Sequence, residues 1–280
     1  MNKIKIITDS TADLSKEIID KYDIEVIPLL VTFGEESYKD GIDINTSELL
    51  RKMESSEEFP GTAQITPQRF IECYKKYLQE GYKIISLHLS SKMSGTYQSA
   101  CLAKEILEAN ETIEIIDSQN VTSGLGLLVI KAARLRDEEY NLEEIVKEVR
   151  RAIPHIKSGL VFEELTNLVK GGRLSKTAGV VGNILGIRPI LTVENGEMAV
   201  IDKVRGNKKA IRYVLDYIGQ VGIKKDEPCI LLHIENEDIR IPLEEHLQEK
   251  SIEFMECEVG CVVGVHSGKR ACGIFFIEDY

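Results

Sequence analysis

The chain has 280 residues, 43% hydrophobic and 29% charged, which is enough for a real interior and, at this length, suits two domains. A formal charge of −11 and a pI near 5.1 argue against nucleic acid as a general partner, because phosphate binding needs a basic face. The longest apolar runs, such as Ile24 to Phe33, stop far short of a membrane span, and no signal-peptide core follows Met1-Asn2-Lys3, so a cytoplasmic protein is expected. In chain order, Lys3 to Thr8 predicts a strand and Ser15 to Tyr22 a helix, with capping side chains in Asp9-Ser10-Thr11-Ala12-Asp13. Glu25 to Phe33 reads as a second strand, followed by helices Thr46 to Met53 and Thr66 to Gln79, the latter with Pro67 in its first turn. Then come strand Lys83 to Leu89, helix Gly95 to Leu107, strand Thr112 to Ile116, and helices Thr122 to Arg136 and Leu142 to Ala152. Such alternation predicts an α/β fold with an N-terminal parallel sheet flanked by helices.

From about Ile156 the pattern changes. Strand Ser158 to Phe162 leads through a helix to Gly171-Gly172-Arg173, and Asn195-Gly196 marks a hairpin between Ile187 to Val193 and Glu197 to Val204. Helix Lys208 to Ile218, strand Cys229 to Ile234, a helix around Leu243 to Glu249, and strands near Ile252 to Glu258 and Gly273 to Ile277 follow. Hairpins mixed with helices predict a smaller C-terminal α+β domain, giving expected domains of 1–157 and 158–280. The six cysteines form no C-x-x-C pair, which disfavours structural zinc. Lys203, Arg205, Lys208, Lys209 and Arg212 form the only dense basic cluster and read first as a solvated helix face.

Four polar segments lie where a strand hands over to a loop or helix, the place where ligands collect in open parallel sheets. The first, Asp9 to Asp13, offers an aspartate for phosphotransfer, but helix capping explains the same residues. In the second, Gly61 to Pro67, Thr66 can cap the following helix, which leaves Thr62 and Gln64 without a structural task. The third, Ser90 to Ser99, supplies several hydroxyls where one cap would need a single one, so it reads equally as a nest for an anion. The fourth contains Val262-Val263-Gly264-Val265-His266-Ser267-Gly268, an apolar strand ending in a histidine among glycines that permit close backbone approach. The other histidines, His88, His155, His233 and His246, lack such surroundings. Gly171-Gly172-Arg173 reads as a helix stop, with Arg173 available to pair with a carboxylate across the domain junction.

Phosphate-loop and H-E-x-x-H signatures are missing, and Gly264 to Gly268 misses the nucleophile elbow by one position. Gly179, Gly182 and Gly186 look like close packing. Taken together, Ile7 to Leu14, Ser94 to Ala100, Asp117-Ser118 with Gly124-Leu125-Gly126, Lys170 to Arg173, and Gly186 to Leu191 resemble the DegV family of bacterial fatty-acid-binding proteins nearly end to end. The resemblance implies a fatty acid held between the two domains, its carboxylate meeting Thr62, Ser94 with Gly95 and Thr96, and His266. It places Arg205 near the mouth of the site. It also implies a carrier with no cofactor and no activity of its own, whose partner would be a separate fatty acid kinase forming an acyl phosphate.

This chain departs from the family pattern twice. Thr-Ser-Gln-Pro is Thr62-Ala63-Gln64-Ile65 here, and His-x-Gly-Pro-Gly-x-x-Gly is His266-Ser267-Gly268-Lys269-Arg270-Ala271-Cys272-Gly273, a longer-armed and more basic loop that puts partner docking in question. Neutral hydroxyl and imidazole donors would satisfy a buried carboxylate yet leave it free to attack a phosphoryl group. A competing reading makes Ser94 and His266 the nucleophile and base of an esterase or acyl-transfer enzyme, though no third residue is evident. A DNA-associated protein is disfavoured by charge. A monomer with at most transient membrane contact is expected, since no heptad or large apolar edge stands out.

Overall fold

Alternating strands and helices open the chain in the computed structural model, which describes residues 3–56, 58–175 and 186–280. Strands β1 (Ile4–Asp9), β2 (Ile24–Ile27), β6 (Lys83–His88) and β7 (Ile113–Asp117) form a parallel sheet in the order β2-β1-β6-β7. All six residues of β1 are buried, as expected for a central parallel strand covered on both faces. Helix α1 (Lys16–Lys21) is capped by Ser15. Helices α3 (Pro67–Gln79) and α4 (Thr96–Ile106) cover one face of the sheet, and α5 (Ser123–Asp137) and α6 (Leu142–Ala152) cover the other. Asn45 with Glu48 and Asn141 with Glu144 complete capping boxes at the starts of α2 (Thr46–Ser55) and α6. Thr66 stands at the N-cap of α3, but its side chain makes no cap bond.

The expected strand from Glu25 to Phe33 is two strands in two sheets. Pro28 has no N–H for a ladder, and the chain turns there, with the Leu29 N–H donating to Ser10 Oγ at 3.0 Å. Beyond the turn, β3 (Leu30–Phe33) pairs antiparallel with β4 (Glu36–Lys39) and β5 (Gly61–Ala63), a small sheet the periodicity did not disclose. These strands are three or four residues long, too short to show an alternation.

Strand β8 (Ile156–Phe162) begins a second, six-stranded sheet, so the expected 157/158 boundary falls inside one strand. Its order is β10-β9-β8-β13-β11-β12, with β9 (Ile187–Glu194), β10 (Glu197–Arg205), β11 (Cys229–Ile234), β12 (Phe254–Glu258) and β13 (Ala271–Ile277). Only β11 with β12 is parallel. Asn195 (φ 51) and Gly196 (φ 82) form the tight turn between β9 and β10. Helix α7 (Thr166–Lys170) follows β8, while α8 (Asn207–Val221) and α9 (Glu237–Glu249) cover the outer face. Helix α9 starts well before Leu243 and contains Pro242. Gly179 and Gly182 lie outside the described residues. Gly186 adopts φ +83, and a Cβ there would meet nothing within 4 Å among the described residues.

The last correction concerns Cys261 to Ser267. Its valines suggested a strand, but the segment is helix α10, with Cys261, Val262 and Val265 buried among Ile7, Leu29, Val31 and Phe70 of the N-terminal half. Long-range packing overrides the β-branched local preference there. Helix α5 lies between the two sheets, and its buried Leu125 and Leu128 share one core with Leu87 of β6 and Phe275 of β13. A helix apolar on both sides is the element that joins two sheets into one body.

Candidate functional site

One end of a cavity between the two halves is polar. There β5 supplies Thr62 and the loop after it Gln64, the turn before α4 supplies Ser94 and Gly95, and α10 supplies His266. Arg173, after α7, is the single permanently charged side chain on the cavity wall among the described residues. Most of the remaining lining is apolar, with Leu160 and Phe162 from β8, Leu232 from β11, Val262 from α10 and Met198 from β10, and Thr11, Thr122 and Ser267 are its polar exceptions. The cavity and its open mouth together hold about 1030 Å³ of atom-free space.

His266 Nε2 lies 3.0 Å from Thr62 Oγ1, a contact between residues 204 positions apart. Its Nδ1 is buried without a hydrogen-bond partner among the described residues. Burial, and then the nearby Arg173 charge, lower the imidazole pKa to about 4, so it is neutral at pH 7. A buried N–H without an acceptor is rarer and costlier than an unused lone pair, which favours the proton on Nε2. In that tautomer the imidazole donates to Thr62, and the threonine hydroxyl proton is free for an anion.

The Ser94 hydroxyl lies 3.0 Å from Thr96 Oγ1 and accepts the Thr96 N–H at 3.3 Å. Thr96 is fully buried, and its hydroxyl also accepts the Ile65 N–H at 3.4 Å. It therefore holds Ser94 from behind and does not line the cavity. Gly95 leaves room for Gln64, whose amide Nε2 donates to Ser99 Oγ at 3.1 Å, and a Cβ at position 95 would collide with the Gln64 carboxamide. Arg173 crosses between the halves as its sequence position suggested, but it meets a carbonyl and not a carboxylate: Nε and Nη2 donate to Met93 O at 3.2 and 3.1 Å, and Nη1 to Gly171 O at 2.5 Å. Burial lowers its pKa.

Arg205 is not brought into this group. It ends β10, exposed and paired with Ile187 across the hairpin, and is not part of the cavity wall. The loop after His266 is also less free than its charge suggested. Lys269 pairs with Glu54 at 2.7 Å, and Arg270 pairs with Glu163 at 2.6 Å and Asp238 at 3.3 Å. Arg270 takes φ +63 where the family pattern has glycine.

The esterase geometry is not assembled. His266 engages Thr62 and not Ser94, and no carboxylate orients its Nδ1. An Asp–His–Ser chain does exist elsewhere: Asp9 Oδ2 to His88 Nδ1 at 3.0 Å, His88 Nε2 to Ser86 Oγ at 2.7 Å, with Tyr74 donating to Ser86 at 2.8 Å. All four residues are fully buried beneath the sheet's end, so the chain is structural. Asp9 also accepts from the Thr11 N–H and hydroxyl and from the Leu89 N–H, which leaves it no role as a phosphoacceptor. Sequence spacing gave no signal for His88, because its partners lie 2 to 79 residues away. Among the described residues no group of three or more His, Cys, Asp or Glu side chains gathers as a metal site, and no helix is long and apolar enough to cross a membrane.

The profile of the DegV family, a family of uncharacterised proteins, matches residues 3–279. The chain belongs to the DegV family. A DegV domain-containing protein of Clostridium acetobutylicum is 59% identical over 280 residues, covering 100% of both chains. A fatty-acid-binding DegV protein of Thermus thermophilus is 28% identical, with a TM-score of 0.91 over 99% of each chain. The Streptococcus pneumoniae fatty acid kinase B3 protein, loaded with linoleic acid, shares the DegV fold at a TM-score of 0.86 and 24% identity, over 99% of this chain and 100% of that one.

Proposed function

We propose that this DegV protein holds one long-chain fatty acid, with the acyl chain in the apolar cavity and the carboxylate against Thr62, Ser94 and His266. The observation that carries the reading is a cavity lined mostly by apolar side chains in which the Thr62 and Ser94 hydroxyls and a neutral imidazole gather. Burying ~15 methylenes at about 0.8 kcal/mol each offers roughly 12 kcal/mol before the costs of association. A carboxylate left without donors in such a place would cancel much of that gain, and the Ser94 and Thr62 hydroxyls supply donors without a permanent ion pair.

The protein then acts as a carrier, presenting the head group to a separate fatty acid kinase that phosphorylates it to an acyl phosphate. Support comes from the family, from the fold shared with the kinase B3 protein, and from the charge of one face. Lys203, Arg205, Lys208, Lys209 and Arg212 are all exposed in a chain of net charge −11, and they offer an acidic partner a localised basic surface. Arg205, outside the cavity wall, suits this docking face.

Mass spectrometry of lipid extracted from the purified protein, with native mass spectrometry for stoichiometry, tests the first step. One fatty acid per chain is expected, with Ser94→Ala and Thr62→Val each weakening binding by about tenfold to a hundredfold, the worth of one hydrogen bond to a charged group. A protein that is empty and refuses added fatty acids would overturn the reading. Arg205→Glu should leave lipid content intact but abolish acyl phosphate formation by a kinase that accepts the unmutated carrier.

A further inference from the structure

Gly171 and Gly172 are adjacent, yet they are glycines for different reasons. Gly172 adopts φ +72 with open space around it, a backbone conformation that other residues resist. Gly171 has φ −74 and ψ −8, which any residue adopts. What position 171 lacks is room. A Cβ there would overlap His266 Nδ1 and lie 2.9 Å from Cε1 and 3.1 Å from the Asn167 carbonyl oxygen.

The surroundings determine what would yield to a methyl group. Helix α10 cannot back away, because the N-terminal half holds it at its start: the Cys261 N–H donates to Asp40 Oδ1 at 2.8 Å, and the Thr46 hydroxyl donates to the Val259 carbonyl at 2.8 Å. Helix α7 is tied to α10 by Asn167 Nδ2, which donates to the Val265 carbonyl at 3.4 Å. Arg173 holds the Gly171 carbonyl itself. The part with freedom to move is the imidazole, whose one polar contact among the described residues is the 3.0 Å bond to Thr62.

We propose that Gly171 is a positioning residue for the head-group site: its missing side chain is the space that lets the His266 imidazole stand against Thr62. This rests on the fatty-acid reading for its functional consequence, but not for its geometry. A methyl group at 171 would swing the ring toward the cavity, break the Thr62 contact and occupy room meant for the carboxylate. The ordinary expectation points the other way, since Gly→Ala at a compatible backbone position reduces the freedom of the unfolded chain and is harmless or stabilising.

The test combines Gly171→Ala, His266→Ala and the double variant, each delipidated and titrated with a fluorescent fatty acid, with imidazole ¹⁵N–¹H NMR on the histidine-containing proteins. Gly171→Ala should weaken binding roughly tenfold or more, because the displaced ring would block the carboxylate from the Thr62 hydroxyl and cost that one hydrogen bond to a charged group. In the His266→Ala background the same substitution should have no further effect, because the methyl then enters vacated space. The His266 ring resonances should shift in Gly171→Ala, a change that better helix-end stability alone would not produce. Unchanged affinity and unchanged ring resonances would overturn the proposal, as would an equal loss with and without the imidazole. If the unmutated protein takes up no fatty acid, the carrier reading fails, and the ring resonances alone decide whether Gly171 positions His266.

Discussion

Protonation of His266 should be costly enough to measure. The folded-state pKa of about 4 lies below the unfolded value of 6.5, so the unfolded chain binds the extra proton first. The contribution of this residue is therefore complete above pH 6.5 and is lost as pH falls toward 4. Between pH 7 and pH 5 the linkage amounts to about 2 kcal/mol, since one pKa unit is worth about 1.4 kcal/mol. The physical cause is local: Nδ1 faces the glycine wall without an acceptor, and the Arg173 guanidinium already supplies positive charge nearby. Urea unfolding of delipidated protein at pH 7, 6 and 5, compared with His266→Gln, isolates the term, because other titrations cancel in the difference. The unmutated protein should lose about 2 kcal/mol more than the variant across that range. Parallel curves would refute the reasoning and return His266 to ordinary solvation. Loading with a fatty acid should shrink the difference, because a carboxylate beside the ring favours its protonated form.

Asp13 is buried, and burial and then the neighbouring Asp40 raise its pKa well above the usual carboxylate range, with Gly260 and Thr122 opposing the rise. A raised acid pKa removes stability as pH rises from the unfolded value, so Asp13→Asn should raise the melting temperature at pH 7 and flatten its decline with pH, and asparagine also suits φ 49. Arg270→Gly should relieve a left-handed backbone worth about 1–2 kcal/mol while removing ion pairs worth at most about 1 kcal/mol each when exposed. Denaturant midpoints should therefore show a net gain for the variant in 1 M salt, where screening removes the pairs, and a smaller gain or none at low salt.

The alternation of strands and helices, Pro67 at the start of α3 and the Asn195-Gly196 turn were legible in the sequence because each rests on contacts within a few residues. The hydroxyl-rich turn at Ser94, Thr62's lack of structural employment and the glycine-flanked histidine likewise singled out residues that line one cavity. What the chain order could not show depends on distant partners. Pro28 announces a break, but only the pairing of β3 with β4 and β5 decides that Thr62 belongs to a separate small sheet facing the cavity. Valines at 262, 263 and 265 favour a strand until the N-terminal core offers a groove for one helical face, and packing free energy then outweighs propensity. His266 is neutral, Arg173 bonds Met93 and Arg205 stands apart because of burial and distance, which no local pattern encodes. Residue types chose the chemistry available to this protein; the joining of two sheets around α5 decided which of those residues meet.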